Sequence, residues 1–140
     1  MISNAEWEVL RVVWTKGQVT SKQIIAVLAN KKEWSESTIK TLIGRLVDKG
    51  ILLSRREGRS YLYWTEVSED DANLACLKGE LDKICVTKHT DLLGKLLVET
   101  PMTAQDIKTL QDILSAKQAV TEVTCDCTPG QCRCHETGAA

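Results

Sequence analysis

Four thiols stand within ten residues near the end of the chain, in CDCTPGQCRC: Cys125, Cys127, Cys132 and Cys134. They form two Cys-x-Cys units separated by Thr128-Pro129-Gly130-Gln131, unlike the Cys-x2-Cys knuckles of most zinc fingers and ribbons. Pro-Gly favours a tight turn that folds the second unit back on the first. Four sulfurs then converge from a short segment with little loop entropy to lose. Soft thiolates select Zn(II) and Cu(I) over hard ions such as Mg(II) or Ca(II). One Zn(II) takes all four sulfurs tetrahedrally, whereas Cu(I), content with two or three, enters as a pair bridged by them. Four thiolates around one Zn(II) and around two Cu(I) have the same formal charge. Exchange between the two is electrostatically silent to first order, and any effect on a distant function has to act through shape. The same residues also admit a permanent structural zinc site, an iron–sulfur site, or an unstructured end with incidental thiols.

The other titratable residues carry less. Cys76 and Cys85 are nine residues apart, on opposite faces if they share a helix, so they are expected not to chelate one ion together and to be small buried residues. His89 is expected to be a solvated helix-end residue, and His135, beside Cys134, to be ordinary, with a spare-ligand role as the lesser alternative. No paired carboxylates, phosphate loop or nucleophile–base arrangement stands out, so catalysis is not expected. No basic start leads into an apolar stretch with a small-residue cleavage site, and no apolar run approaches the roughly 18 residues of a spanning helix. The chain reads as cytoplasmic, with no membrane partner, and in a reducing compartment dense cysteines bind metal or react.

The elements that must position these thiols begin with a division of charge. The net charge of −1 conceals 11 Lys/Arg against 6 Asp/Glu in residues 1–65, and 7 against 13 in residues 66–140. A basic half suits a polyanion and an acidic half stays off it. In the basic half, SNAE caps a first helix through Ser3 and Glu6, with Val9, Leu10, Val13 and Trp14 as its buried stripe and Gly17 as its end. TSKQ opens a second helix of about nine residues, with Ile24, Val27 and Leu28 inward. WSESTIKTLIGRLVDKG gives a third, with Ile39, Leu42, Ile43, Leu46 and Val47 on one face and Ser35 or Ser37 as cap. Its opposite face carries Ser37, Thr41, Gly44 and Asp48, flanked by Thr38, Arg45 and Lys40. ILLSRREGRSYLYWT reads as two strands around Glu57-Gly58-Arg59, with Arg55, Arg56 and Arg59 near the tip. Three helices and a basic hairpin make a winged helix-turn-helix. Its third helix fits a major groove, and its hairpin guanidiniums neutralise phosphates.

One such helix reads only a few base pairs, so two copies are needed on paired half-sites. Residues 66–118 supply the means: SEDD opens a helix with Leu74, Leu77, Leu81 and Ile84 on one face, interrupted at Thr87–Thr90 before Leu92, Leu93, Leu96 and Leu97. After Pro101, TAQD starts a helix with Ile107, Leu110 and Leu114 in register. These stripes predict a homodimer, the alternative being that they pack against their own DNA-binding domain.

The runs ISNAEWEVLRVVW, WSESTIKTLIGRLVDKG and SRREGRSYLYW, across residues 2–65, resemble the DNA-binding half of the penicillinase-repressor family, BlaI and MecI, and of its copper-responsive CopY-type branch. The resemblance implies a dimeric transcriptional repressor on a palindromic double-stranded DNA operator. It places base and nearby phosphate contacts at Ser37, Thr38, Lys40, Thr41 and Arg45, and backbone contacts at Arg55, Arg56 and Arg59. CDCTPGQCRC is similar to the CxCxxxxCxC tail of the copper-responsive branch. That likeness implies Zn(II) in the repressing form, and two Cu(I) per chain, delivered by a copper chaperone, in the derepressed form. The penicillinase relatives are instead inactivated by cleavage at an Asn-Phe bond, and this chain has no phenylalanine.

The expected architecture is mostly α: a winged-helix DNA-binding domain at 1–66 with a β-hairpin wing, a helical dimerisation region at 67–119, and a metal-binding tail at 120–140. Its expected function is copper-responsive repression of copper-homeostasis genes. A metal-buffering or delivery protein and a penicillinase-type repressor are the alternatives.

Overall fold

In the computed structural model, which describes residues 1–134, the chain forms two units, Met1–Asn73 and Leu74–Ala140. His135 lies outside the described residues.

The first unit is built as its caps and stripes dictate. Helix α1 (Asn4–Lys16) starts where the Ser3 side chain accepts the Glu6 amide and stops at Gly17, whose φ of 85° suits a residue without Cβ. Helix α2 (Ser21–Lys32) carries the complete Thr20–Gln23 capping box. Ser35, not Ser37, caps α3 (Glu36–Asp48) by accepting the Thr38 amide. Strands β2 (Leu53–Glu57) and β3 (Ser60–Trp64) form the expected hairpin, and β1 (Val19–Thr20) adds a third strand beside β3, with Val19 opposite Tyr63. That strand was not expected. Val19 carries no run of alternation, and only its pairing with distant Tyr63 makes it a strand.

Val9, Leu10 and Val13 of α1 meet Ile24 and Leu28 of α2 and Ile39, Leu42, Ile43 and Leu46 of α3 in one core, closed by Val19 and Leu52. Burying each such Leu or Ile contributes about 1.5–3 kcal/mol relative to exposure. Two details differ from the expected pattern. Helix α2 runs to 12 residues, and Val27 is exposed at the rim of a shallow groove with Arg11 and Lys31, because the inward side of α2 runs through Ile24, Ile25, Leu28 and Ala29.

An ion pair ties the start of α1 to the end of α3. Lys49 Nζ donates to both carboxylate oxygens of Glu6, at 2.8 and 2.7 Å, and to the Met1 carbonyl at 2.7 Å. Glu6 is 3% exposed. Burial pushes its carboxyl up, but Lys49 and Ser3 together hold it below its ordinary 4.5.

The second unit contains the rest of α4 (Glu69–Leu81), a 3-10 turn (Val86–Lys88), α5 (His89–Glu99) and α6 (Ala104–Ala116). Ser68 caps α4 by accepting the Asp71 amide, and Thr103 with Asp106 forms a full box for α6. Helix α4 ends earlier than its apolar pattern suggested, so Ile84 is outside it. The Lys83 and Ile84 amides tighten onto Glu80 and Leu81, and His89 Nε2, as donor, reaches the Leu81 and Ile84 carbonyls at 2.8 Å each. His89 is therefore the cap of α4 and not merely a solvated residue. Cys76, expected to be buried, is exposed. Leu77 is 65% exposed and Leu114 64%, and Leu74, Leu93, Leu96, Leu97, Ile107 and Ile113 are exposed with them. Among the described residues no helix is long and apolar enough to cross a membrane.

All four tryptophans, Trp7, Trp14, Trp34 and Trp64, lie in the first unit, so their emission reports its unfolding alone. Lys49→Met leaves the Glu6 carboxylate buried without its cation. It is expected to destabilise that unit by about 1–3 kcal/mol in urea unfolding followed by tryptophan emission. Because the folded pKa of Glu6 is depressed, the contribution is complete above pH 4.5 and is lost as pH falls through the lower folded value. The difference between wild type and variant should shrink over that acid range.

Candidate metal centre and nucleic-acid interface

The tail turns where expected. Pro129 and Gly130 occupy a β-turn in which the Gln131 amide donates to the Thr128 carbonyl at 3.0 Å, with Gly130 at φ 99°. The turn brings Cys132 Sγ to 3.3 Å from Cys125 Sγ, and the Cys127 amide donates to Cys125 Sγ at 3.4 Å.

The sulfurs do not gather alone. Cys85, in the segment between α4 and the 3-10 turn, places its Sγ 3.5 Å from that of Cys125 and 3.8 Å from that of Cys134. The sulfurs of Cys85, Cys125, Cys127 and Cys132 all lie within 4.8 Å of one another. Cys134 Sγ is exposed beside Cys85 and 3.6 Å from Thr87 Oγ1. The fourth member of this compact group is thus Cys85, where spacing along the tail had suggested Cys134. Cys76 and Cys85 do not share the group, as expected, but opposite faces of one helix say nothing about Cys85 and the distant tail. Helix α4 ends at Leu81, so Cys85 lies beyond it in the connecting segment. Neighbouring sulfurs of a tetrahedral Zn–S4 site with about 2.3 Å bonds lie about 3.8 Å apart. The separations here fit a soft four-sulfur site.

Charge divides this cluster. The Thr87 hydroxyl, 3.0 Å from Cys85 Sγ, together with the Thr87 backbone holds the Cys85 thiol down to about 6 against the cost of burial. Cys132 is also lowered, by Cys125 and then by the backbone of Cys134. For Cys127 the hydrogen bond with Cys125 pulls down, but Cys85, burial and Cys132 outweigh it and push the thiol up to about 11. The Cys127 backbone pulls Cys125 down, yet Cys132, burial and Cys85 raise it on balance. The two lowered thiols, Cys85 and Cys132, thus sit against the two raised ones, Cys125 and Cys127, because adjacent negative charges repel one another. A bound cation reverses that balance and displaces the remaining protons.

The other candidate surface is the outer face of α3. Ser37, Thr38, Lys40, Thr41, Gly44, Arg45 and Asp48 are all exposed. Thr41 Oγ1 donates to the Ser37 carbonyl at 2.9 Å, which leaves its lone pairs outward, while Thr38 and Ser35 hydroxyls meet at 3.0 Å. Lys40, Gly44 and Asp48 border an open groove of about 420 Å³ completed by Ser54, Tyr61 and Tyr63 of the sheet.

The wing arginines are exposed but do not share one surface. Arg56 stands opposite Tyr61 and Ser54 opposite Tyr63, so Arg56 is on the sheet face that borders the α3 groove. Arg55 is on the other face and pairs with Glu57 at 3.5 Å. Arg56 Nε donates to the Gly58 carbonyl at 3.2 Å, and Arg59 sits in the two-residue turn with Gly58. Strand alternation makes Arg55 and Arg56 unequal, a distinction available from the sequence only once the register is known.

A model of the penicillinase repressor family matches residues 2–116. An uncharacterised 16.5 kDa protein in the ptsI 3′ region of Latilactobacillus sakei is 42% identical over 96% of this chain and 94% of its own. The methicillin resistance regulatory protein MecI of Staphylococcus aureus is 30% identical over 83% of this chain and 94% of its own. A solved structure of the CopR repressor is 41% identical over 49% of this chain and 99% of that one, with a TM-score of 0.43. With the family match spanning both the winged helix and the helices after it, the chain belongs to the penicillinase-repressor family, a family of DNA-binding transcriptional repressors and not of enzymes.

Proposed function

We propose that this member of the family is a copper-responsive repressor acting in the cytoplasm: a zinc-loaded homodimer holds a palindromic operator of copper-homeostasis genes and leaves it when Cu(I) replaces Zn(II). The observation that carries the reading is the all-sulfur cluster, four sulfurs within 4.8 Å with no carboxylate or imidazole among them. Such a donor set favours soft ions. The absence of phenylalanine from the chain removes the Asn-Phe bond that a protease-switched relative would use.

In this reading residues 1–66 bind DNA, 67–119 dimerise and 120–140 carry the metal-binding thiols. Ser37, Thr38, Lys40, Thr41 and Arg45 contact bases and adjacent phosphates, while Arg56, Arg59 and, from the other sheet face, Arg55 contact the backbone. The exposed leucines of α4, α5 and α6 are covered by a second copy, which sets two α3 helices on half-sites about 34 Å apart or a multiple of that. Because one Zn(II) and two Cu(I) leave the thiolates with equal formal charge, release comes from a dimer arrangement that no longer matches the half-sites, favoured by whichever ion prefers it. Delivery of Cu(I) by a copper chaperone is part of the same reading.

Operator affinity of the zinc form, measured before and after two equivalents of Cu(I), tests this directly: affinity should fall on copper addition, and unchanged affinity with copper bound would end the proposal. The Cys125→Ser, Cys127→Ser double variant is expected to lose the copper response. Lys40→Ala and Arg45→Ala should each weaken operator binding. A substitution that removes a phosphate contact should also lower the slope of log affinity against log salt by about 1. A Cβ at Gly44 meets nothing within 4 Å inside the chain, so Gly44→Ala should stabilise the first unit by about 0.5–1 kcal/mol. The same substitution should reduce operator affinity, because the glycine permits close approach of a groove to α3.

A further inference from the structure

We propose that Cys85 is itself a metal ligand, the fixed donor onto which Cys125, Cys127 and Cys132 of the tail close, with Cys134 as the spare thiol. The proposal rests on the thiolate–metal reading above and adds a ligand from outside the tail.

Three independent features meet at Cys85. Its sulfur belongs to the compact four-sulfur group, and Cys134 does not. It is 8% exposed and is the only buried residue among the described residues from Leu74 onward. What surrounds its sulfur is not an apolar core: Thr87 Oγ1 lies at 3.0 Å, and the sulfurs of Cys125 and Cys134 at 3.5 and 3.8 Å. A cysteine buried as a small hydrophobe would sit in an apolar core, and Cys85 is not part of the hydrophobic core cluster.

Its backbone is also the best anchored near the cluster. The Cys85 carbonyl accepts the Lys88 amide at 2.9 Å, and His89 holds the carbonyls of Leu81 and Ile84 on either side of the bend. A donor on such a junction is pre-positioned, whereas residues 117–124 form no helix or strand and leave the tail dependent on its sulfur contacts.

The consequence is a route for the signal. A site made only from the tail is a closed knot at the end of an irregular segment. A site that includes Cys85 closes the 40-residue separation between Cys85 and Cys125 through the ion. The geometry demanded by the ion then acts on the bend between α4 and α5, the two helices that present Leu74, Leu77, Leu93 and Leu96. A tetrahedral Zn(II) requires the Cys85 sulfur as fourth ligand. A Cu(I) pair, satisfied by two or three sulfurs for each ion, draws on a different subset of the five thiols and shifts the bend.

Zinc affinity of the full chain, measured by competition with a chromophoric chelator, separates the possibilities. Cys85→Ser should weaken zinc by more than the roughly 100-fold that loss of an outer-shell partner costs, while Cys134→Ser should stay close to wild type. Limited proteolysis of the zinc-loaded chain should cut residues 117–134 faster in Cys85→Ser. Co(II) substitution supplies a second readout: the thiolate-to-cobalt absorption should fall in Cys85→His, in which an imidazole keeps the ion bound with one sulfur fewer. That readout holds even if the serine variant folds poorly. Wild-type zinc affinity in Cys85→Ser, or wild-type thiolate absorption in Cys85→His, would overturn the assignment. If either occurs while Cu(I) still releases the wild-type protein from its operator, the copper-switch reading stands and only the role of Cys85 falls. A wild-type chain that takes up neither zinc nor Cu(I) overturns both.

Discussion

Sulfur atoms held within 4.8 Å of one another cannot all carry charge without a cation, and the second unit of this protein is organised around that constraint. Side-chain caps open α4 and α6, yet Cys85 is the unit's one buried residue among those described. Ordinary units of this size gain stability by enclosing leucine side chains. Here most of the leucines are exposed, and the buried place is taken by a thiol beside other thiols. In the proposed form, stability of this region draws on two partners outside its own apolar interior: an ion for the sulfurs and a second chain for the exposed leucines.

The first unit follows a different logic. Its core holds α1, α2 and α3 through residues whose spacing alone specifies their inward face, and the Glu6–Lys49 pair fixes the end of α3 against the start of α1. Such a buried pair contributes mainly by position, since much of its attraction is offset by desolvation. The outer face of α3 is free of core duties, so its hydroxyls and cations are available to a nucleic acid. A wing arginine on the groove side, Arg56, and one on the far side, Arg55, give that surface an asymmetry that composition alone does not have.

A switch in such a molecule needs differential geometry and not a change of charge. In the proposed copper response the zinc and copper forms have equal formal charge, so the change would act at the bend after α4, where His89 and Thr87 hold the backbone and the sulfur of Cys85. In that proposal a small rearrangement there would alter which leucines two helices present, and a dimer interface would be sensitive to it because packed apolar surfaces have few alternative fits.

Most of the first unit was legible in the amino-acid order, because helix caps, 3.6-residue stripes and turn glycines are local and act within a few residues. Ser3, the Thr20–Gln23 box, the Ile39–Leu46 stripe and the Pro129-Gly130 turn all belong to this class. The sequence likewise determined that the tail offers soft donors, since four cysteines around a turn leave few other chemistries. What only the tertiary structure decided are the contacts across long separations: Val19 with Tyr63, Glu6 with Lys49, the groove-side placement of Arg56, and Cys85 with Cys125. The last depended on α4 stopping at Leu81, a stop set by His89 reaching back from the next helix and not by any residue within the pattern itself. Periodicity counts along one element, and it carries no information about which distant side chain will satisfy that element's end.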